Sequence, residues 1–171
     1  MKSMGFAVGV GINLGDRTGQ FELAVRLLEE TPGVEVLGMA SPIRTRPVVP
    51  EGEEVRHPWY LNTVVLGGTT QSPRALLARL LGIETALGRR RRGGCDPRTL
   101  DLDLVAFEGA VIEDTGISIP HPRLAGRDFV LNPLQEVLED LDSSVDPRVV
   151  AIARGIRASL PIGILPSRIG S

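Results

Sequence analysis

The chain predicts an α+β fold, and three observations carry that prediction. Short runs alternating apolar with small or polar residues recur along it. Segments with apolar residues at helical spacing stand between them. The two kinds follow one another as β-α-β-β-α-β, with further elements forming a C-terminal extension. That order is the ferredoxin-like, split βαβ sheet, expected here with helices packed on one face. With 171 residues and 42% hydrophobic composition, the chain is long enough for one domain with a sizeable core. A single domain over residues 1–171 is expected, its core at about 5–140 and its tail, about 160–171, loosely ordered.

Each element has its own signal. Phe6, Val8, Val10 and Ile12 alternate with small residues and predict the first strand. Residues 11–16 read as a turn, and Phe21, Ala24, Val25 and Leu28 place a helix from about Thr18 to Thr31, ended by Pro32-Gly33. Val34 to Ser41 is a second strand, and the proline-rich stretch 42–58 is a loop. Tyr60 to Leu66 is a third strand, with Tyr60, Asn62 and Val64 on one face. Ser72 caps a helix that starts at Pro73, runs through Leu76, Leu80, Ile83 and Leu87, and stops at Gly88. Glu108-Gly109 is a tight turn between the Asp101-Leu102-Asp103 strand and Ala110-Val111-Ile112. Residues 119–123 are rich in turns, a helix lies around Pro133, and Asp146-Pro147 starts a short terminal helix.

Composition narrows the function. The net charge is -2, which argues against bulk nucleic-acid binding. Lys2 is the only lysine among 19 basic residues, so the positions of the arginines carry more meaning than their number. The single cysteine, Cys95, forms no internal disulfide and agrees with a reducing cytoplasm. No apolar run is long enough to span a membrane, and no signal peptide opens the chain. A cytoplasmic location is expected.

The chemistry concentrates in Pro97 to Val105. In a strand, Leu100, Leu102 and Leu104 share one face and Asp101 and Asp103 the other, roughly 6.7 Å apart at Cα. Two such acids could decorate a solvated edge strand. Aspartate is depleted in strands, however, and the pair's mutual repulsion is relieved by a divalent cation bridging phosphate oxygens. Arg89, Arg90, Arg91, Arg92 and Arg98 flank the acids across a glycine pair, as either a solvated charge run or guanidinium forks for a polyphosphate. Glu84, on or near an apolar helix stripe, is either a partly buried partner of an arginine or a ligand contact. His121 between two prolines is either structural or a donor near phosphate, and His57 reads as a surface residue. Tyr60, Asn62 and Phe129 are either core packing or a pocket for a planar heterocycle. The sequence contains no P-loop, no dinucleotide fingerprint and no zinc-ligand spacing.

These residues resemble a known family. Asp96 to Leu104 is similar to the signature of the 6-hydroxymethyl-7,8-dihydropterin pyrophosphokinases of folate synthesis. Gly11 to Gly15, Arg44-Thr45-Arg46-Pro47, Tyr60-Leu61-Asn62, Glu84 to Arg89, Ile119-Pro120-His121 and Arg127-Asp128-Phe129 fall in family order. The resemblance implies transfer of the β,γ-pyrophosphoryl unit of ATP to the pterin hydroxymethyl group, with release of AMP. It implies that Asp101 and Asp103 hold two Mg2+ ions, and that Arg89 and Arg98 act with them in catalysis. It places ATP against Glu84, Arg89, Arg91, Arg98, Leu104, Ser118, His121 and Arg127, and the pterin against Thr45, Pro47, Val48, Tyr60, Asn62 and Phe129. Ile12, Ile43, Cys95, Asp96 and Pro122 depart from common family residues. Two other readings stand beside it. One is a ferredoxin-like RNA-binding module using the arginine loop, which lacks the expected aromatic pair on its central strands. The other is a nucleotide-binding relative without turnover.

Overall fold

The computed structural model describes residues 2–13, 17–46, 59–88 and 100–165. Its elements are β1 (Met4–Ile12), α1 (Arg17–Glu29), β2 (Val34–Met39), β3 (Ile43–Thr45), β4 (Tyr60–Thr69), α2 (Pro73–Ala86), β5 (Asp101–Phe107), β6 (Ile112–Asp114), β7 (Ile117–Ile119), α3 (Asp128–Asp142) and α4 (Pro147–Ala158). The main sheet runs in the order β2-β4-β1-β5, with every neighbouring pair antiparallel. With the short β3 set aside, which pairs only with β4, the elements from β1 to β5 follow the β-α-β-β-α-β, ferredoxin-like order that the sequence predicts.

Alternation in the strands divides the apolar residues into two cores. Phe6, Val8, Val10, Val65, Leu102 and Leu104 face α1 and α2, where Phe21, Ala24, Leu28, Leu76, Leu80 and Ile83 complete a buried cluster. Ala7, Val64, Leu66, Val105 and Ala106 face the opposite way, onto Leu134, Val137 and Leu138 of α3 and Ile152 and Ile156 of α4. The expectation of helices on one face is therefore corrected: α3 and α4 cover the second face. The physical reason lies in β4, whose residues 62–69 are buried on both sides and need a partner layer on each.

The first strand is made for close approach. A Cβ at Gly5 would lie 2.8 Å from Ile156 Cγ1 and 2.9 Å from Ile152 Cγ2, so α4 rests almost on the backbone of β1. Gly9 and Gly11 continue the same face toward the other end of the strand, where no helix covers them as closely. A β-bulge in β5 adjusts the phase: Ala7 pairs with Ala106 and Val8 with Leu104, leaving Val105 as the extra residue. Leu104 and Phe107 thereby face the first core while Val105 and Ala106 face the second.

Two smaller expectations change. Residues 43–45, expected within a loop, form β3, which pairs with β4 from Ile43↔Asn62 to Thr45↔Tyr60. The prolines at 42 and 47 disguise the strand in the sequence but only bracket it. The segment after Gly109 becomes strand only at Ile112 and forms a hairpin with β7, whose Ile117 and Ile119 reach the first core. In the described part of the tail, Leu160 is buried and Ile164 and Leu165 pack against the second core, while Ile162 is fully exposed. Residues 166–171 lie outside the described residues.

A pair of glycine substitutions tests this packing. A Cβ at Gly67 would run into the Glu35 carbonyl oxygen and the Phe6 ring. Gly67→Ala is expected to cost roughly 2–3 kcal/mol and to lower Tm by about 5–10 °C in thermal unfolding. At the exposed helical Gly82, a Cβ would meet nothing within 4 Å. Gly82→Ala should be neutral or stabilising by up to about 1 kcal/mol.

Candidate active site

The site forms where β5 is the edge of the sheet. Leucines at 100, 102 and 104 anchor the strand in the first core, with relative exposures of 0, 4 and 5%. That burial obliges Asp101 and Asp103 to stand together on the opposite face. Across the sheet, Asp101 pairs with Gly11, Gly11 with Asn62, and Asn62 with Ile43. The acids and the amide are thus two strand spacings apart, about 9.6 Å at Cα, with a glycine between them as the floor. A Cβ at Gly11 would stand 3.0 Å from Asn62 Oδ1, so a larger residue would crowd the amide from below. Asn62 is buried, and its Nδ2 donates to Thr45 Oγ1 at 2.6 Å. That bond fixes the amide's orientation and leaves Oδ1 on the side of the glycine floor. Tyr60 lies two residues before Asn62 and pairs with Thr45; both are half-buried.

Beyond the outer edge of β5 lies a cleft of about 360 Å³. Glu84, Leu102, Asp103, Leu104, Ser118 and His121 line it, together with Leu77 and Leu81 of α2. Of the residues assigned to ATP by resemblance, Glu84, Leu104, Ser118 and His121 share this cleft. Glu84 is 2% exposed, and its Oε1 accepts the Leu102 N–H at 2.7 Å. That amide belongs to the residue between the two aspartates. A hydrogen bond from α2 therefore fixes the backbone that carries the acids. The sequence alone left Glu84 between an arginine partner and a ligand contact; the backbone bond is a third role.

Asp103 collects further partners from the chain beyond β7. Arg127 Nη1 donates to Asp103 Oδ2 at 3.2 Å, and its guanidinium lies 5.7 Å from the centre of the Phe129 ring. His121 Nε2 stands 4.0 Å from the same carboxylate oxygen. The peptide N–H of His121 donates to the Val105 carbonyl, so the bulged residue anchors the segment that delivers the ring. His121 Nδ1 accepts the Arg123 N–H at 3.2 Å. In the neutral ring the proton is then on Nε2, directed toward Asp103. Burial lowers the His121 pKa from its ordinary value; the Asp103 charge works against that shift, and Arg127 and Arg123 reinforce it.

Pro47, Val48, Arg89, Arg91 and Arg98 lie outside the described residues, as do His57, Cys95 and Asp96. The structure brings together Asp101, Asp103, His121, Arg127 and Phe129, and on the inner side Thr45, Tyr60 and Asn62. Sequence reasoning missed Gly9 and Gly11 as the floor and Arg123 as the residue that fixes the imidazole. The alternating glycines of β1 were a usable signal for the floor. A backbone N–H leaves no signature in residue type.

The donor set suits a hard divalent cation. Two carboxylates facing one way supply oxygen ligands, and Asp103 keeps 36% of its side chain exposed. Among the described residues, no group of three or more His, Cys, Asp or Glu could hold a metal by itself. Magnesium binds in this manner, through one or two carboxylates plus phosphate oxygens and water.

Comparison with known proteins agrees with this arrangement. The model of the 7,8-dihydro-6-hydroxymethylpterin-pyrophosphokinase family matches residues 7–139. The chain is 38% identical to a 2-amino-4-hydroxy-6-hydroxymethyldihydropteridine pyrophosphokinase of Methylorubrum extorquens over 134 residues, 78% of this chain and 82% of the relative. It is 36% identical to the protein of the same name from Bacillus subtilis over 135 residues, covering 79% and 78% of the two chains. A folate synthesis bifunctional protein of Arabidopsis thaliana is 34% identical over 139 residues, 80% of this chain and 28% of that longer protein.

Two measurements probe the site. In the metal-free protein, proton NMR of His121 should titrate below its ordinary value of 6.5. The unfolded chain then binds the proton first as pH falls. The contribution of His121 to stability is therefore complete above about pH 6.5 and declines from there down to its native pKa. A midpoint above 6.5 would contradict the burial argument. Replacing Glu84 separates hydrogen bonding from packing. Glu84→Ala strands the Leu102 donor and should cost about 2–4 kcal/mol in denaturant unfolding. Glu84→Gln keeps an acceptor and should retain most of that stability.

Proposed function

The chain belongs to the 7,8-dihydro-6-hydroxymethylpterin-pyrophosphokinase family, and we propose that its Asp101–Asp103 face carries the transfer of the β,γ-pyrophosphoryl unit of ATP to the hydroxymethyl group of 6-hydroxymethyl-7,8-dihydropterin, releasing AMP. One observation supports this reading above the others: the two aspartates stand between two differently lined regions. On the outer side is the cleft with Glu84, Leu104, Ser118 and His121. On the inner side is the glycine floor leading to Asn62 and Thr45. A donor in one region and an acceptor in the other would meet over the carboxylates.

ATP occupies the outer cleft, its base beside Leu77 and Leu81 and the edge of β5 at Leu104, its phosphates toward Ser118, His121 and Arg127. Neutral His121 donates from Nε2, and Arg127 offers a guanidinium fork matched to phosphate. The pterin lies on the inner side. Asn62 Oδ1 accepts an N–H from the heterocycle edge, with Tyr60 and Phe129 flanking the ring. By the family resemblance, Pro47 and Val48 would contact the pterin, and Arg89, Arg91 and Arg98 the phosphates; all five lie outside the described residues. Asp101 and Asp103 would hold two Mg2+ ions, which when bound neutralise charge on the transferring phosphates. The rest of catalysis is positioning, because the pyrophosphoryl group passes in line to the alcohol without a protein nucleophile. The reading includes a single-domain cytoplasmic monomer with no nucleic-acid partner. Its supports are the net charge of -2 and the lone cysteine. Among the described residues, no helix is long and apolar enough to cross a membrane.

Incubating the protein with ATP, Mg2+ and the dihydropterin, then separating the nucleotides, tests the reaction. AMP that forms only with the pterin is the expected result; ADP, or no turnover with intact binding, would overturn it. Asp101→Asn and Asp103→Asn should each reduce turnover roughly a thousandfold while leaving the circular dichroism unchanged. Turnover at the unsubstituted level in either variant would remove the metal assignment.

A further inference from the structure

Asp103 is met by a cation that the protein itself supplies. Arg127 Nη1 lies 3.2 Å from Asp103 Oδ2, and the two side chains are 20% and 36% exposed. Arg127 stands at the N-cap position of α3, and its guanidinium meets the Asp103 carboxylate and lies over the Phe129 ring. The third group near that oxygen, His121, stands farther off, with its Nε2 at 4.0 Å. The oxygen that Arg127 holds is one that a divalent ion would need. A guanidinium and a dication cannot share it closely, because unit charges a few ångströms apart repel strongly in a partly dry site.

We propose that Arg127 is a placeholder cation: it holds Asp103 until nucleotide arrives, keeps the carboxylate pair from binding a divalent ion alone, and moves onto the polyphosphate as the ion takes its place. The proposal rests on the reading that Asp101 and Asp103 are the metal carboxylates. Its logic is an exchange of partners. A triphosphate brings oxygens that complete the coordination of magnesium, and it brings an anion whose geometry suits the released guanidinium. Both gains arrive with one ligand. Metal and nucleotide should therefore bind with positive coupling, and that coupling is reciprocal.

The test is the binding of Mn2+, followed by the electron paramagnetic resonance signal of the free ion, with a non-hydrolysable ATP analogue present or absent. Without nucleotide, Arg127→Gln should bind Mn2+ roughly tenfold more tightly than the unsubstituted protein. The analogue should tighten Mn2+ binding in both proteins, by a smaller factor in the variant. Equal or weaker Mn2+ binding by Arg127→Gln without nucleotide overturns the placeholder role. The underlying metal reading fails in a different way: no Mn2+ bound even with the analogue, or no loss of binding in Asp101→Asn and Asp103→Asn. A measurement on the unsubstituted protein covers the case in which Arg127→Gln does not fold. The Arg127 Nε–H resonance should shift when Mg2+ and the analogue are added together and stay in place with Mg2+ alone. A shift of equal size with Mg2+ alone overturns the proposal.

Discussion

Burial of the leucine face of β5 is the constraint on which the site depends. Leu100, Leu102 and Leu104 are held in the first core by α1 and α2, and the pleat of the strand then leaves Asp101 and Asp103 no other direction. Apolar burial at about 25 cal/mol per Å² more than offsets the poor strand propensity of the two acids. Their charges remain to be managed, and every group gathered around them does so in some way. Glu84 fixes the backbone between them, Arg127 meets Asp103, and the glycines of β1 remove bulk beside them. The site is a by-product of core packing that neighbouring segments then exploit.

Two layers of helix give that edge its rigidity. The familiar half of the fold needs only α1 and α2. The second pair, α3 and α4, seals the opposite face over Ala7, Leu66 and Val105 but leaves the Gly9–Gly11 end of β1 less closely covered. The face that carries Asp101 and Asp103 is thus the part of the second surface that α3 and α4 cover least closely. Arg127 and Phe129 stand at the start of α3, where that cover begins. The polar end and the helix-packed end divide the length of one strand, so the polar end stays open while the packed end remains covered.

Much of this was legible in the sequence, for physical reasons that differ by element. β1, α2 and β5 were readable because strict alternation or helical spacing, with Ser72-Pro73 and Gly88 as punctuation, leaves little choice of period. β3 was not, because a three-residue strand bracketed by prolines carries too little pattern. The second helical layer was hidden because a buried strand such as β4 does not reveal from its own residues which partner covers it. At the site, the acids and Asn62 announced themselves by residue type, and the family resemblance ordered the remaining positions. The Glu84 bond to the Leu102 amide and the His121 bond to the Arg123 amide had no counterpart in the sequence, because their partners are peptide groups common to every residue. The closeness of Arg127 to Asp103, 24 residues apart, depends on the turn after β7 and on the anchoring of His121 at Val105.

The bulge at Val105 gives the chain a fixed count. Before it, β5 presents acids to the open face; after it, Ala106 joins Val105 on the helix-covered side while Phe107 returns to the first core. The extra residue works as a phase slip that lets one continuous segment serve two surfaces with different needs. Length in β5 is consequently read as strictly as composition. Deleting one residue between Leu100 and Val105 would turn a carboxylate into the hydrocarbon interior and a leucine toward water, although the amino-acid content would hardly change. Lineages that vary this protein should thus tolerate changes of side chain in β5 far more readily than insertions or deletions there.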